Sequence, residues 1–155
     1  MKEASDKKLG LICSSGGHLW QLTLLEECWG KYNRFWVTFK KPDALSLLHA
    51  EKVYWAAFPT TRNIKNLLKN IVLAWKVLRA ERPDILISNG AGVAVPFFWL
   101  GKLLGIKLIY IEVYDRVELP TLTGKLVYPI VDKFLLQWEE QKKSYHKGIV
   151  MGQII

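Results

Sequence analysis

The stretch L-I-C-S-S-G-G-H-L-W-Q-L, Leu11 to Leu22, decides the fold class. An apolar run stops at Cys13, two serines and two glycines follow, and a helical pattern starts at His18. Strand, glycine turn and helix in that order make an anion-binding device, because the first amides of the helix face outward with partial positive charge. Gly16 and Gly17 let the backbone come close to a ligand. A bare connection between strand and helix is the competing reading. The stretch is not G-x-G-x-x-G, and it lacks the lysine of a nucleotide-triphosphate loop.

Working outward, Lys8 to Cys13 reads as a buried strand and His18 to about Trp29 as a helix. Arg34 to Phe39 is a second strand, Asp43 to Glu51 a short helix opened by Pro42, and Val53 to Ala56 a third strand. After a turn at Pro59 to Asn63, a long helix runs from Ile64 to about Glu81 and ends before Pro83. Asp84 to Ser88 is a strand, N-G-A-G a second glycine turn, Val93 to Leu104 a helix, and Ile106 to Glu112 a strand. A helix near Thr123 to Ile130 and a strand from Lys133 to Trp138 complete the regular pattern; the tail from Glu139 to Ile155 is ambiguous. Alternating strands and helices predict one α/β domain, residues 1–155, with a mostly parallel sheet covered on both faces. The nearly all-apolar runs I-L-I-S and L-I-Y-I fit strands buried on both sides.

The 155 residues suffice for one real core, and with half of them apolar and seven tryptophans, disorder is excluded. A formal net charge of +8 calls for anionic partners: nucleic acid, an anionic membrane surface or a phosphorylated substrate. Nucleic acid is set aside, since most aromatics lie in apolar runs and no recognition motif is present. Cys13 and Cys28 have neither metal-ligand spacing nor the number for a disulfide framework; both read as buried free thiols, which fits a cytosolic location. The polar start M-K-E-A-S-D-K-K is no signal peptide. The apolar segment from Val93 to Ile111 is broken by Pro96, Lys102, Gly105 and Lys107, so it divides into helix and strand instead of spanning a membrane.

Ligands of open α/β sheets sit beyond the carboxyl ends of the strands. Three loops leave those ends: S-S-G-G-H, N-G-A-G (Asn89 to Gly92) and E-V-Y-D-R (Glu112 to Arg116). His18 has the chemistry of a general base, with a structural histidine as the alternative. Glu112, a carboxyl at the end of a buried strand, is awkward for stability alone and suits orienting His18, accepting a proton or holding a sugar hydroxyl. Thr121 to Lys125 offers hydroxyls and a cation near a further helix start. On the long helix, Ile64, Leu67, Leu68, Ile71, Trp75 and Leu78 form an apolar stripe, with Arg62, Lys65, Lys69, Lys76 and Arg79 mostly off it. Such a helix either covers the sheet with a solvated basic face or meets anionic lipid.

The ordered set S-S-G-G-H, R-P-D-I-L-I, N-G-A-G-V-A-V-P, I-E-V-Y-D-R and L-T-G-K-L-V-Y resembles the PssD-type bacterial polysaccharide glycosyltransferase subunits. These are similar to the membrane-recruiting subunit of the split dolichol-pathway N-acetylglucosamine transferase and, more distantly, to the N-terminal half of MurG. The resemblance covers Lys8 to Trp138 and implies the Rossmann-like N-terminal half of a split GT-B glycosyltransferase. The length agrees, because a complete two-domain GT-B enzyme is about twice as long. It further implies a polyprenyl-diphosphate-linked acceptor, a separate donor-binding chain carrying the nucleotide-sugar site, and peripheral attachment to the inner face of the cell membrane. Eukaryotic relatives begin with a hydrophobic anchor and this sequence shows none, so attachment falls to surface helices or the partner.

Carried over by position, the resemblance makes Ser14, Ser15, Gly16 and Gly17 the first cleft loop, and Asn89, Gly90 and Gly92 the second. His18 becomes the general base and Glu112 its orienter or an acceptor-sugar ligand, with Arg116, Thr123 and Lys125 in the segment beyond. No cofactor is implied, and with no D-x-D motif, metal-independent transfer is expected, the leaving diphosphate being stabilised by helix-end charge. Capsule or exopolysaccharide synthesis is the implied setting. The alternative is a non-catalytic membrane scaffold that enhances its partner; a lone nucleotide-binding protein ranks last.

Overall fold

The computed structural model describes residues 6–154. Three strands lead the chain: β1 (Lys8–Ile12), β2 (Asn33–Phe39) and β3 (Val53–Ala56). Four more follow: β4 (Ile85–Ser88), β5 (Lys107–Ile111), β6 (Lys133–Leu136) and β7 (Ile149–Val150). They form one seven-stranded sheet in the order β3-β2-β1-β4-β5-β6-β7, with every pairing parallel. The order reverses between β1 and β4, which are neighbours in space and far apart in sequence. Their connections leave towards opposite faces, and that divergence opens a crevice at the carboxyl ends.

One face carries α4 (Ile64–Glu81), α5 (Ala94–Leu103) and α6 (Leu122–Val127), with α5 packed against both others. Phe35, Val37, Leu86, Phe97, Leu108 and Phe134 make the core between these helices and the sheet. The opposite face carries α1 (Gly17–Thr23), α2 (Glu26–Trp29) and α3 (Pro42–Leu47) over a second core around Leu11, Leu19, Leu22, Trp29 and Trp36. Among the described residues, no α-helix covers β4, β5 and β6 on this second face. An apolar cavity of about 470 Å3 is left there, lined by Leu22, Cys28, Ile87, Ile109, Ile111 and Met151 among others.

The sheet is wholly parallel, where the sequence promised mostly parallel, because the ambiguous tail adds β7 as a further parallel edge. The expected single helix from His18 to Trp29 is broken at Leu24 and Leu25. There the Leu25 amide tightens onto Leu22 O at 3.2 Å, and the Trp29 indole N–H donates to the same carbonyl at 2.7 Å. Cys13 is buried as expected, its thiol pushed up to about 12 by burial; Cys28 is exposed, a correction, because it lies on the side of α2 that borders the apolar cavity. Tyr145, in the tail that the sequence left ambiguous, is packed in the core and only 2% exposed. Ile155 lies outside the described residues.

The helix α4 is turned around relative to its apolar stripe. Ile64, Leu67, Leu68, Ile71 and Trp75 face outward, and the buried residues are Asn66, Asn70, Ala74, Val77, Leu78 and Glu81. The inward polar groups are matched one by one. Asn70 accepts from the Ala57 amide at 2.8 Å and donates to the Ala57 carbonyl at 2.9 Å, and Asn66 donates to Pro59 O at 2.9 Å. The β3–α4 connection thus finds its hydrogen-bond partners on the helix, as buried backbone must.

At the other end of α4, Glu81 meets Lys8, Lys52 (2.6 Å) and the Tyr54 hydroxyl. Burial alone raises the Glu81 carboxyl; the hydrogen bonds from Lys52, Lys8 and Tyr54 outweigh it and hold the group at about 2. A carboxyl depressed in the folded state stabilises the fold above its ordinary value of 4.5 and loses that contribution as pH falls towards 2. Glu81→Gln should cost about 2 kcal/mol at neutral pH, the range for hydrogen bonds to charged groups. Urea titrations of both proteins at descending pH should show the gap closing; a gap independent of pH would refute this account.

Candidate functional site: a cleft at the switch point

Beyond the carboxyl ends of β1, β4 and β5 lies a cleft of about 660 Å3. Three connections build its polar side. From β1 comes His18; from β4 come Gly90, Ala91 and Gly92; from β5 come Val113, Asp115 and Arg116. The N-terminal end of α6 adds Thr121 and Thr123. A fourth contributor is the β3–α4 loop with Thr60, Thr61 and Arg62; in sequence it was read as a turn, with Arg62 counted among the basic residues of the long helix and not as a site residue. Its weak signal was a basic residue beside two threonines at the carboxyl end of a strand. Leu67, Val95, Leu122 and Leu126 form an apolar wall, and Leu67, Leu122 and Leu126 are themselves exposed.

His18 is held from β4. Its Nδ1 stands 2.9 Å from the Asn89 carbonyl, and the Asn89 side-chain amide donates to the His18 carbonyl at 2.7 Å. A carbonyl only accepts, so Nδ1 carries the proton and Nε2 keeps the lone pair of the neutral ring. Burial pushes the imidazole below its ordinary value of 6.5, while the Asn89 bond and the charges of Asp115 and Glu112 pull partly back. Gly90, at φ +129°, lets this pair close up: a Cβ there would stand 2.8 Å from His18 Cε1.

Of the roles read for Glu112, orienting His18 is not the one it has; Asn89 holds the ring. The Glu112 carboxyl is fully buried beneath the cleft floor. It accepts from Thr121 Oγ1 (2.9 Å), from the Tyr145 hydroxyl (2.5 Å) and from the Val113 amide (3.0 Å). Thr121 in turn caps α6 by accepting from the Gly124 amide at 2.9 Å. Glu112 therefore fixes the start of α6, and burial with the Glu112 bond raises the Tyr145 hydroxyl well above its usual range.

Of the other expected site residues, Gly90, Gly92, Arg116 and Thr123 line the cleft and Asn89 lies buried beside it. Ser14, Ser15, Gly16 and Gly17 do not line it, and neither does the exposed Lys125. The anion expected at the first glycine turn is supplied by the chain itself: the Gly16 amide donates to Asp43 Oδ2 at 2.6 Å. The cations available to a ligand are Arg62 and Arg116, neither of which forms an ion pair among the described residues. No group of three metal-ligating side chains occurs among the described residues.

The same sheet with the same helices recurs in larger enzymes. The MurG of Acinetobacter baumannii superposes with a TM-score of 0.73 at 16% identity, over 86% of this chain and 42% of that one. The UDP-N-acetylglucosamine 2-epimerase of Rickettsia bellii gives 0.75 at 15%, over 96% and 45%. This chain spans less than half of either, and the likeness is to the N-terminal half of the GT-B fold. In sequence, the rat protein named UDP-N-acetylglucosamine transferase subunit ALG14 is 28% identical, covering 96% of this chain and 84% of its own. The Candida albicans protein of the same name is 29% identical over 96% and 78%, and that of Schizosaccharomyces pombe 33% over 74% and 54%. The oligosaccharide biosynthesis protein Alg14-like family model matches residues 9–154, and the chain belongs to that family.

Proposed function

We propose that this chain is the acceptor-binding subunit of a two-component glycosyltransferase. It binds a polyprenyl-diphosphate-linked sugar at an anionic membrane surface, on the inner face of the cell membrane. A separate donor-binding chain brings the nucleotide sugar, and the sugar is transferred across the shared cleft. The observation that carries this reading is the cleft's two-sided lining: cations and a base on one side, leucines continuous with exposed apolar surface on the other. A lipid diphosphate needs both at once.

The roles follow from position. Arg62 and Arg116 neutralise diphosphate charge as preorganised cations. Leu67, Leu122 and Leu126 take the first part of the lipid chain. His18 Nε2 accepts the proton of the acceptor hydroxyl as that oxygen attacks the sugar and the nucleotide leaves with its bonding pair. Asn89 fixes the tautomer, and Glu112 holds α6 and the loop before it. Ser14 to Gly17, outside the cleft, face the side where a donor-binding half would close. The uncovered strip of sheet over β4 to β6, with its 470 Å3 apolar cavity, supports a protein partner.

No helix among the described residues is long and apolar enough to cross a membrane. Attachment then rests on the outward side of α4 and on Trp99, Leu103 and Leu104 of the α5 region. Capsular or exopolysaccharide synthesis is the setting we assign to the reaction.

The test is glycosyl transfer to a polyprenyl-diphosphate-linked sugar in vesicles, with a panel of nucleotide sugars. This chain, the donor-binding chain and the pair are compared. Transfer should require both chains and should persist in EDTA. Full transfer by the donor-binding chain alone would reduce this protein to a scaffold, and loss in EDTA would overturn the metal-independent step.

A further inference from the structure

The loop from β5 to α6 brings Val113, Asp115 and Arg116 to the cleft, yet it has no regular structure of its own. Four of its carbonyls are held from one place. Gln137 Nε2 donates to Glu112 O at 2.9 Å, and Trp138 Nε1 donates to Tyr114 O at 2.8 Å. Gln141 Nε2 donates to both Val113 O and Arg116 O, each at 3.0 Å. The Gln141 carboxamide oxygen accepts from the Gln137 and Trp138 amides at 2.9 and 3.2 Å, which ties the segment to itself.

Gln141 is only 3% exposed, and all four hydrogen-bonding capacities of its amide are used. Two hold the loop and two hold the strand end that carries the other clasps. A buried amide so fully engaged is costly to disturb, because each lost partner strands a polar group away from water. Stability alone does not require that the clasped segment be a cleft wall. The carbonyls it fixes flank Asp115 and Arg116, whose side chains reach the site.

We propose that Gln141 is a positioning residue for anion binding: it sets the loop so that Arg116 faces the cleft. Gln137 and Trp138 complete the template. The proposal rests on the reading of the cleft as a lipid-diphosphate site and adds a residue that touches no substrate.

The test uses the full chain, with farnesyl diphosphate as probe. Two variants are compared with wild type: Gln141→Glu, which turns an oxygen towards two carbonyls, and Gln141→Met, which keeps the volume and removes every hydrogen bond. Arg116→Ala serves as the direct-contact control. Hydrogen exchange of the 112–120 segment should quicken in both Gln141 variants, while α4 stays protected. Affinity for the probe should fall about tenfold, about 1.4 kcal/mol, in the folded fraction. A merely structural role would lower the melting temperature and quicken exchange throughout, leaving that affinity intact.

Unchanged exchange in the 112–120 segment overturns the proposal, and so does quickened exchange with unchanged affinity. If Arg116→Ala weakens binding and the Gln141 variants do not, the positioning role fails alone. If wild type does not bind the probe, the diphosphate reading fails, and the proposal with it. Should Gln141→Glu not fold, Gln141→Met alone decides.

Discussion

Replacing His18 by alanine should lower transfer by the reconstituted pair about 10²- to 10⁴-fold, the usual contribution of a general base. The fold should survive. The bond from Asn89 runs to the backbone carbonyl of residue 18, so it outlasts the loss of the ring. The imidazole is half-buried at the cleft edge and contributes little to either core. Capture of the donor-binding chain should therefore be unchanged while turnover collapses. The pH profile gives a second readout. Because burial lowers the imidazole's value, the acid limb of kcat/KM should have its midpoint below 6.5, with activity rising as His18 loses its proton. An acid limb at or above that value, or undiminished turnover in the alanine variant, would remove His18 from the chemistry and favour the scaffold reading.

The second large effect is expected at the membrane. Lys65, Lys69 and Lys76 are exposed on α4 beside the outward apolar residues. Each basic residue near an anionic surface is worth about 1 kcal/mol, so replacing all three by glutamine should weaken binding to anionic vesicles by roughly 3 kcal/mol, on the order of a hundredfold. Salt should weaken wild-type binding and have a smaller effect on the variant, because only the Coulombic part is screened. The apolar contribution separates cleanly: Trp75→Ala should weaken binding to neutral and anionic vesicles alike. Co-sedimentation at two salt concentrations measures both. Vesicle binding indifferent to the three lysines and to salt would contradict an anionic-surface site.

Much of the fold was written in local patterns. The strand Val53–Ala56 and the helix Ile64–Glu81 stand where periodicity and Pro83 put them, because each is long or sharply bounded enough for local propensity to prevail. The break after Thr23 was not legible, since it depends on an indole reaching back to a carbonyl seven residues earlier. The orientation of α4 was invisible for a deeper reason. Its apolar stripe has the spacing of a core-facing helix, and only tertiary hydrogen bonds to Ala57 and Pro59 show that the asparagines go inward.

The candidate site was legible in part. His18, the Asn89–Gly92 turn and Arg116 follow from strand ends, which a strand–turn–helix pattern reveals. That Asn89 and not Glu112 meets His18 depends on β1 and β4 being neighbours, which sequence order conceals. Arg62 was read with the basic face of the long helix, because nothing in the local pattern shows that the β3–α4 loop folds over the cleft.

The reversed setting of α4 separates two selection pressures on a single run of eighteen residues. Asn66, Asn70 and Ala74 answer to the fold; Ile64, Leu68, Val72 and Trp75 answer to whatever the outward surface touches. A mutational scan scored by solubility would favour polar replacements at the second group and punish apolar ones at the first. The same scan scored by growth of a cell dependent on the protein would invert the tolerance of the outward group and leave the inward group's unchanged. Engineering the chain for expression by rinsing grease from its surface would then improve yield while discarding the residues assigned above to membrane attachment.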